Sequence, residues 1–318
     1  MIADPLLPVA PVAVDPVLVR VLMGPWAGAL AFLWGLLWGS FANVVIWRLP
    51  RDQSVTRPRS RCGGCGKRIA WYDNIPIVSY LVLRGRCRAC GQKISLRYLF
   101  VEVVGGILSF TLYTQLVLGP LLAGGAPQLA AWLLWFAFAL ALIIITYTDL
   151  DFWIIPNAVV LPLCAVGLGV AAFDPEILGV ALVDAAVAAA VGYLVIAGIR
   201  WIYLKRRNIE ALGLGDGKLL AMVGAFCGSS GLLWTITAGA IQGLVLSVPL
   251  LLLGRSVANR SLEEVHGDDP ELGEEDPAAG VMGVRVPFGP FLALAALEFM
   301  LLRAPIRSLL AWMVGAGG

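Results

Sequence analysis

The sequence predicts an all-α polytopic membrane protein with about eight transmembrane helices and a small cytoplasmic insertion, rich in cysteine, between helices one and two. Hydrophobic residues make up 59% of the chain, charged residues 14%, and the mean hydropathy is +0.86. Soluble domains hold only about 45–50% apolar residues. Strand-like alternation is absent, so helices are favoured over a membrane barrel.

The elements follow from apolar runs that approach the roughly 20 residues a helix needs to cross a bilayer. Residues 1–24 are predicted to form a loose tail, because the first basic residue is Arg20 and the charged start of a cleavable secretory signal is missing. Eight candidate spans follow, of which the fourth and sixth are short or broken by glycine: Pro25–Trp47, Leu99–Leu118, Leu129–Tyr147, Ala158–Phe173, Val183–Leu204, Leu219–Leu233, Trp234–Leu253 and Phe288–Leu302.

Basic residues predict the orientation, since basic loops tend to stay in the cytoplasm. Of the 23 lysines and arginines, 12 lie between Arg48 and Arg97, and four more lie between Arg200 and Arg207. With eight spans both regions fall on the cytoplasmic side and both termini lie outside. The predicted domains are the tail, a first transmembrane helix over 25–48, a cytoplasmic loop domain over 49–97, and a membrane domain over 98–318 with an acidic loop at 255–285.

The cytoplasmic loop domain carries Cys62-Gly-Gly-Cys65 and Cys87-Arg-Ala-Cys90. Two CxxC pairs separated by 21 residues match the spacing of a four-thiolate zinc site, in which each pair forms a tight knuckle. Two disulfides or a redox pair are the alternatives, although a reducing cytoplasmic face disfavours structural disulfides. Four glycines suit such knuckles because these turns often require positive φ: Gly63, Gly64, Gly66 and Gly91.

The acidic loop holds eight carboxylates between Glu263 and Asp276 and the only histidine of the chain, His266. Its composition is typical of a solvated linker. Nothing in the sequence pairs His266 with the cysteines, so it is given no catalytic role.

Two aspartates in polar breaks of the apolar chain are the candidate catalytic residues: Asp149, in Tyr-Thr-Asp-Leu-Asp, and Asp216, in Leu-Gly-Leu-Gly-Asp-Gly-Lys. An ionisable group next to hydrocarbon is costly to place, so each indicates a functional site. Span three ends at Asp149 and span six begins after Asp216, which puts both at the cytoplasmic interface, where they can meet. The supporting residues Gly213 and Gly215 permit irregular backbone, and Lys218 follows closely. A simple interfacial turn is the alternative.

Which acid of the Asp-Leu-Asp segment matters is left open by periodicity, because Asp149 and Asp151 point in different directions on a helix. If one of them converges with Asp216, the pair can hold one shared proton. The ionised member can then activate a water and the protonated one can polarise a carbonyl, which is aspartyl peptidase chemistry. A Ser/His/Asp set is not available, since the single histidine lies in the acidic loop.

At these residues the chain resembles the prepilin peptidases (type IV leader peptidases), a family of membrane aspartic peptidases with the GxGD signature shared with preflagellin peptidases and presenilin. The segment Gly39–Pro50 looks like the family's GSFxNVxxxRLP motif. Further matching segments follow in order along nearly the whole chain: Ser60–Cys65, Trp71–Ser79, Gly85–Gly91, Arg97–Glu102, Asp149–Asn157, Glu210–Lys218 and Pro287–Pro290.

The resemblance implies a bifunctional enzyme of the bacterial inner membrane. It would cleave the basic leader of type IV prepilins or type II secretion pseudopilins after a glycine, at the cytoplasmic face, and methylate the new N-terminus with S-adenosylmethionine. By motif alignment the catalytic aspartates fall on Asp149 and Asp216, which selects Asp149 over Asp151. The family usually has an acidic residue at the position of Asn157 and often a bulkier one at Gly217, but neither difference removes a catalytic carboxylate.

Other partners follow from charge and hydropathy. The lipid bilayer is one, and no nucleic acid is expected. The 12 cations between Arg48 and Arg97 would repel a basic leader and instead favour anionic lipid. This leaves Glu210, Glu102 or the acidic loop to meet the leader. No GxGxxG turn after a strand indicates a Rossmann site for S-adenosylmethionine.

Two other classes of protein remain as hypotheses. An ion-coupled transporter would use Asp149 and Asp216 to bind a proton or cation at a break in the helices, near the bilayer midplane. A zinc-scaffolded assembly protein would depend on the cysteines and not on the aspartates.

Overall fold

The computed structural model describes residues 15–207, 213–252, 287–313 and 315, and within these ranges the chain is almost entirely helical. β-Structure in these ranges is limited to two isolated antiparallel bridges, Arg61–Arg68 and Arg86–Lys93. The α-helices are, in chain order, α1 (Pro16–Leu22), α2 (Pro25–Arg48), α3 (Val78–Val82), α4 (Leu96–Tyr113), α5 (Gly119–Leu122), α6 (Leu129–Phe152), α7 (Asn157–Phe173), α8 (Pro175–Leu178), α9 (Leu182–Arg207), α10 (Leu214–Leu252), α11 (Gly289–Leu301) and α12 (Arg303–Met313).

Short helices of other types flank these elements. Two 3-10 helices lie in the loop after α2, at Leu49–Arg51 and Trp71–Asn74. A π-helix at Thr114–Leu118 joins α4 to α5.

Within the described ranges, 5 helices are long and apolar enough to cross a membrane, and 6 are counted if the pair α11 and α12, bent by 99°, forms one span. The protein is therefore an all-α, multi-pass membrane protein, as the sequence predicts. The predicted number of eight spans stays a prediction. The five segments are Pro25–Arg51, Leu96–Leu122, Leu129–Phe152, Leu182–Arg206 and Leu214–Pro249.

Helix α10 corrects one predicted boundary. The sequence places the end of span six at Leu233 and the start of span seven at Trp234, yet both residues lie inside α10. The break lies at Gly228 instead, where φ is 68° and ψ is −167°. Only glycine adopts this region readily. Hydropathy does not mark the break, because apolar residues continue on both sides of it.

A side chain from α9 caps the helical segment that follows this break. Asp184 Oδ1 accepts a hydrogen bond from Ser229 N at 3.2 Å, so it satisfies one of the N–H groups that a helix start leaves without an intrahelical partner. Asp184 Oδ2 also occupies the space that a Cβ at Gly228 would need. The two residues therefore fit each other closely.

The chain divides into two compact units, and the domain boundaries given above stay predictions. In the first unit, α2 and α4 pack through small residues. A Cβ on Gly35 would lie 2.7 Å from Gly106 Cα, and one on Gly39 would lie 2.8 Å from Glu102 Cα. Such close backbone approach is typical of membrane helix pairs. This unit comprises Met1–Asn43 and Pro58–Leu140.

Glycines also set the packing of the second unit, which comprises Val44–Arg57 and Ala141–Gly318. A Cβ on Gly224 of α10 would lie 2.5 Å from Ala189 N of α9. The contact between α10 and α11 is similar, because a Cβ on Gly239 would lie 3.3 Å from Leu292 Cα. The helix that carries Asp216, α10, is thus held in close contact with α9 and α11.

Candidate active site and metal centre

Asp149 lies in the last turn of α6, where its side chain is only 7% exposed. Its Oδ2 accepts a hydrogen bond from Gly289 N at 2.9 Å. Gly289 is the first residue of α11, so this N–H group has no partner within its own helix and the positive end of the helix dipole faces the carboxylate. A Cβ on Gly289 would lie 2.6 Å from the same oxygen, so a larger residue would displace the carboxylate.

Asp216 lies in the first turn of α10 and is half-buried. The structure brings the two candidate aspartates close together, since the residues beside each of them meet at Ile155. Ile155 packs between their two segments. A Cβ on Gly215 would lie 3.1 Å from Ile155 Cβ, and one on Gly289 would lie 3.3 Å from Ile155 Cδ1.

Both aspartates lie at helix ends, and this position bears on the transporter hypothesis. Asp149 precedes the end of α6 at Phe152 by three residues, and Asp216 follows the start of α10 at Leu214 by two. Coupling ions bind at helix breaks near the bilayer midplane, whereas these two helices are full-length candidate spans, Leu129–Phe152 and Leu214–Pro249, whose ends reach the membrane surface. The position of the pair therefore favours surface chemistry over transport.

The predicted supporting residues differ in the contacts that they make. Lys218 Nζ donates a hydrogen bond to Asn157 Oδ1 at 2.8 Å, which ties the first turn of α10 to the start of α7. Gly215 serves close packing against Ile155, whereas a Cβ on Gly213 would meet only Gly215 N, at 3.9 Å. Neither glycine has positive φ. Glu210, the acidic loop at 255–285 and His266 lie outside the described residues.

The two positions that differ from the usual family pattern, Asn157 and Gly217, each make a defined contact. Asn157 supplies the neutral oxygen that Lys218 binds. A Cβ on Gly217 would lie 3.2 Å from Ile196 Cβ and 3.3 Å from Tyr193 O. The small residue at 217 therefore matches the close approach of α9.

Two residues that contact Asp149, and one that contacts the nearby Phe152, had no role predicted from the sequence. Gly289 has no side chain, and only its place in the Phe-Gly-Pro segment before α11 could have marked it. Trp153 ends α6 with a φ of 54°, and its N–H donates to Asp149 O at 3.0 Å. Arg51 lies over the rings of Trp47, at 3.7 Å, and Phe152, at 4.7 Å. No residue type predicts these contacts, since each depends on the fold.

The four predicted cysteine ligands come together in the first unit. Their Sγ atoms all lie within 4.8 Å of one another, and the sulfurs of Cys62 and Cys90 are 3.7 Å apart. Tetrahedral zinc with Zn–S bonds of about 2.3 Å places sulfurs about 3.8 Å apart. All four cysteines are free thiols, so the disulfide alternative is not what the structure contains. The cluster is therefore able to hold a metal ion.

The two CxxC pairs form a repeated local structure. Gly66 N donates to Cys62 O and Gly91 N donates to Cys87 O, both at 2.9 Å. Gly66 and Gly91 have the expected positive φ, of 66° and 72°. The same expectation is wrong for Gly63 and Gly64, which lie between the cysteines of the first pair and have no positive φ.

Backbone donors prepare Cys62 to bind a cation. The backbone N–H groups of Cys65 and Gly64 lower the pKa of the Cys62 thiol to about 6. Thiolates bind zinc, whereas thiols do not. The chemistry and the spacing of these donors both fit a structural metal site.

Fold and site together define a multi-pass membrane protein with a pair of acidic side chains at helix ends. Sequence comparison identifies the family. Residues 33–116 match the Bacterial Peptidase A24 N-terminal domain, and residues 136–248 match the Type IV leader peptidase family. The first match contains the four cysteines, and the second contains both Asp149 and Asp216.

Curated relatives agree with these matches. The chain is 36% identical to a Prepilin leader peptidase/N-methyltransferase of Myxococcus xanthus (strain DK1622), over 88% of this chain and 91% of the relative. It is 34% identical to the protein of that name from Stutzerimonas stutzeri, over 83% and 87% of the two chains. It is 39% identical to the protein of that name from Klebsiella pneumoniae, over 63% of this chain and 85% of the relative. The chain therefore belongs to the type IV leader peptidase family. No solved structure matches it significantly.

Proposed function

We propose that this protein is a membrane aspartic endopeptidase that removes the basic leader of type IV prepilins or type II secretion pseudopilins, cleaving after a glycine. Asp149 and Asp216 are the catalytic pair. The observation that carries this proposal is that both carboxylates lie at helix ends close to Ile155. The names of the relatives supply the substrate class.

The geometry supports a division of labour within the pair. Gly289 N holds Oδ2 of Asp149, which leaves Oδ1 free to face water and substrate. Two neighbouring carboxyl groups share one proton, because both cannot be charged at once without a large cost. The ionised member removes a proton from the attacking water, and the protonated member polarises the scissile carbonyl.

We place the pair at the cytoplasmic face of the bacterial inner membrane. The concentration of 12 of the 23 basic residues between Arg48 and Arg97 supports this orientation. A prepilin has a basic leader followed by an apolar helix, so its scissile bond lies where hydrocarbon meets cytoplasm. Carboxylates at helix ends are at the right depth for that bond.

We further propose that Cys62, Cys65, Cys87 and Cys90 bind structural Zn²⁺, and that the protein methylates the new N-terminus with S-adenosylmethionine. The sulfur spacing supports the metal. The names of the relatives support the methylation. In the described loop residues, β-structure consists of two isolated bridges, without a strand of several residues. A Rossmann-type cofactor site therefore does not fit them.

A cleavage assay tests the peptidase proposal. Purified protein in lipid vesicles is incubated with a prepilin, and Asp149→Asn and Asp216→Asn are compared with wild type. Each should reduce cleavage by about 1,000-fold or more, because each removes an acid–base partner. Asp151→Asn is the matched control and should stay near wild type. Normal cleavage by Asp149→Asn and by Asp216→Asn would mean that the aspartyl mechanism is wrong. The hypothesis of an assembly protein predicts that neither substitution has an effect.

A further inference from the structure

The segment Trp71–Val82 in the cytoplasmic loop domain has its polarity reversed. Its polar Ser79 is buried, accepts a hydrogen bond from Ile75 N and donates one to Tyr72 O, both at 2.9 Å. Six of its apolar or aromatic side chains are exposed, which is the reverse of a segment that faces water. The exposed side chains are Trp71 at 78%, Tyr72 at 50%, Ile75 at 40%, Val78 at 53%, Leu81 at 63% and Val82 at 68%.

A strained turn fixes this segment to a membrane helix. Ile77 has a φ of 61° and a ψ of −53°, and Val78 N donates to Pro76 O at 2.6 Å. This is a γ-turn with positive φ, which is rare and costly for a β-branched residue. Ile77 N donates to Glu102 Oε2 at 2.9 Å. A half-buried carboxylate of α4 thus holds the turn in place, and α4 is a candidate membrane span.

The glutamate bond also determines the depth of the segment. Glu102 lies in the second turn of α4, close to the end of that span. A group bound to it lies at the level where hydrocarbon gives way to lipid headgroups. The bond also occupies the Glu102 carboxylate, so this residue is poorly suited to the leader contact suggested by the sequence.

The charge around the segment is strongly positive. Residues 58–97 contain nine basic residues and one acid, Asp73, so their net charge is +8. The Arg88 guanidinium binds Asp73 through both carboxylate oxygens and lowers the pKa of Asp73. The only acid is therefore neutralised. Apolar and aromatic side chains surrounded by arginine and lysine are the pattern of an interfacial membrane-binding surface.

We propose that the outer face of Trp71–Val82 inserts into the headgroup region of a bilayer containing anionic lipid, and so holds the cytoplasmic loop domain against the membrane. A basic leader peptide fits this face poorly because like charges repel it. A second copy of the chain would bring a second positive surface to the same place. Anionic lipid is complementary to both the apolar and the charged parts.

Photo-crosslinking tests the proposal on the full-length protein. p-Benzoylphenylalanine replaces Trp71, Leu81 or, as the control, Lys67, which is exposed but lies outside the segment. Each protein is reconstituted in vesicles of phosphatidylglycerol and phosphatidylethanolamine, irradiated and analysed by mass spectrometry. Positions 71 and 81 should give about tenfold more phospholipid adduct than position 67. Equal yields at all three positions would overturn the proposal.

The same experiment distinguishes the other partners. Crosslinks between two copies of the chain at 71 and 81 would show a protein interface instead. Adducts that form only with added prepilin would show a substrate contact. In vesicles of phosphatidylcholine alone, lipid adducts at 71 and 81 should fall by about fivefold, the effect of losing about one interfacial charge contact. An unchanged yield would show that the basic residues around the segment do not contribute to lipid binding, which would overturn that part of the proposal.

Discussion

The carboxylate of Asp149 accepts a hydrogen bond from the backbone N–H of Gly289, 140 residues further along the chain. The first residue of α11 therefore orients a proposed catalytic group on α6. A backbone donor at a helix start is rigid, and it brings the favourable end of the helix dipole to the carboxylate. The site consequently depends on a residue that has no side chain.

Gly289→Ala should reduce prepilin cleavage by about 100-fold, because the new methyl group would lie 2.6 Å from Asp149 Oδ2 and displace it. The rate of the chemical step should fall more than substrate affinity. The matched control is Gly213→Ala, whose methyl group would meet only Gly215 N at 3.9 Å. Similar rates for both variants would show that the contact does not matter for cleavage.

Gly228→Ala should destabilise the second unit by about 1–3 kcal/mol, because alanine avoids the backbone conformation found there and its methyl group would collide with Asp184 Oδ2. Thermal unfolding in detergent measures the change. Gly169→Ala is the control, since a Cβ there has nothing within 4 Å. It should unfold at or above the wild-type temperature, and a lower temperature for Gly169→Ala than for Gly228→Ala would contradict the account of the break.

Asp184→Ala should also destabilise this region, by about 1 kcal/mol, because Ser229 N loses its acceptor. Asp184→Asn retains a side-chain oxygen at the same place and should recover most of the stability. The comparison of the two melting temperatures separates loss of the cap from loss of charge. If Asp184→Asn is as unstable as Asp184→Ala, the negative charge of Asp184, and not its oxygen atom, stabilises this region.

Zinc content should depend on the four clustered cysteines alone. Cys62→Ser and Cys87→Ser should each lose most of the bound zinc, since structural sites need all four ligands. Cys164→Ser, on α7 and outside the cluster, should keep it. Elemental analysis of the purified proteins measures the metal. Unchanged zinc in the first two variants would exclude this ligand set, and prepilin cleavage measured in parallel reports whether the aspartate pair is affected.

Asn157→Leu should impair folding or cleavage, because Lys218 would remain half-buried without its oxygen partner. The bond is exposed to water, so its loss should cost no more than the roughly 0.5–1.5 kcal/mol of a typical hydrogen bond. Asn157→Asp keeps an acceptor for the ammonium group and should stay close to wild type in both assays. Equal behaviour of the leucine and aspartate variants would show that the bond is unimportant.

Much of the site could be predicted because its side chains are chemically unusual in an apolar chain. Asp149, Asp216 and the paired cysteines stand out by residue type and spacing alone. The role of Gly289 could not be predicted, since a backbone N–H carries no signal of which distant group it will bind. The same limit applies to Gly228, because the chain has 36 glycines and hydropathy does not show which of them breaks a helix.

Backbone strain was equally invisible in the sequence. Ile77 and Trp153 both have positive φ, although β-branched and bulky aromatic residues avoid it. Trp153 N donates to Asp149 O, four residues earlier at the end of the same helix. For Ile77 a tertiary contact, with Glu102 of α4, accompanies the unusual conformation. Local propensity cannot anticipate a conformation that neighbouring helices impose.

The distance along the chain between Asp149 and Gly289 sets an order of events during synthesis. The ribosome finishes both aspartates well before it reaches α11, so a nascent chain already holds the acidic pair while the N–H donor for Asp149 does not yet exist. Only insertion of α11 supplies that donor. Assembly of the carboxylate site is thereby coupled to the synthesis and insertion of α11.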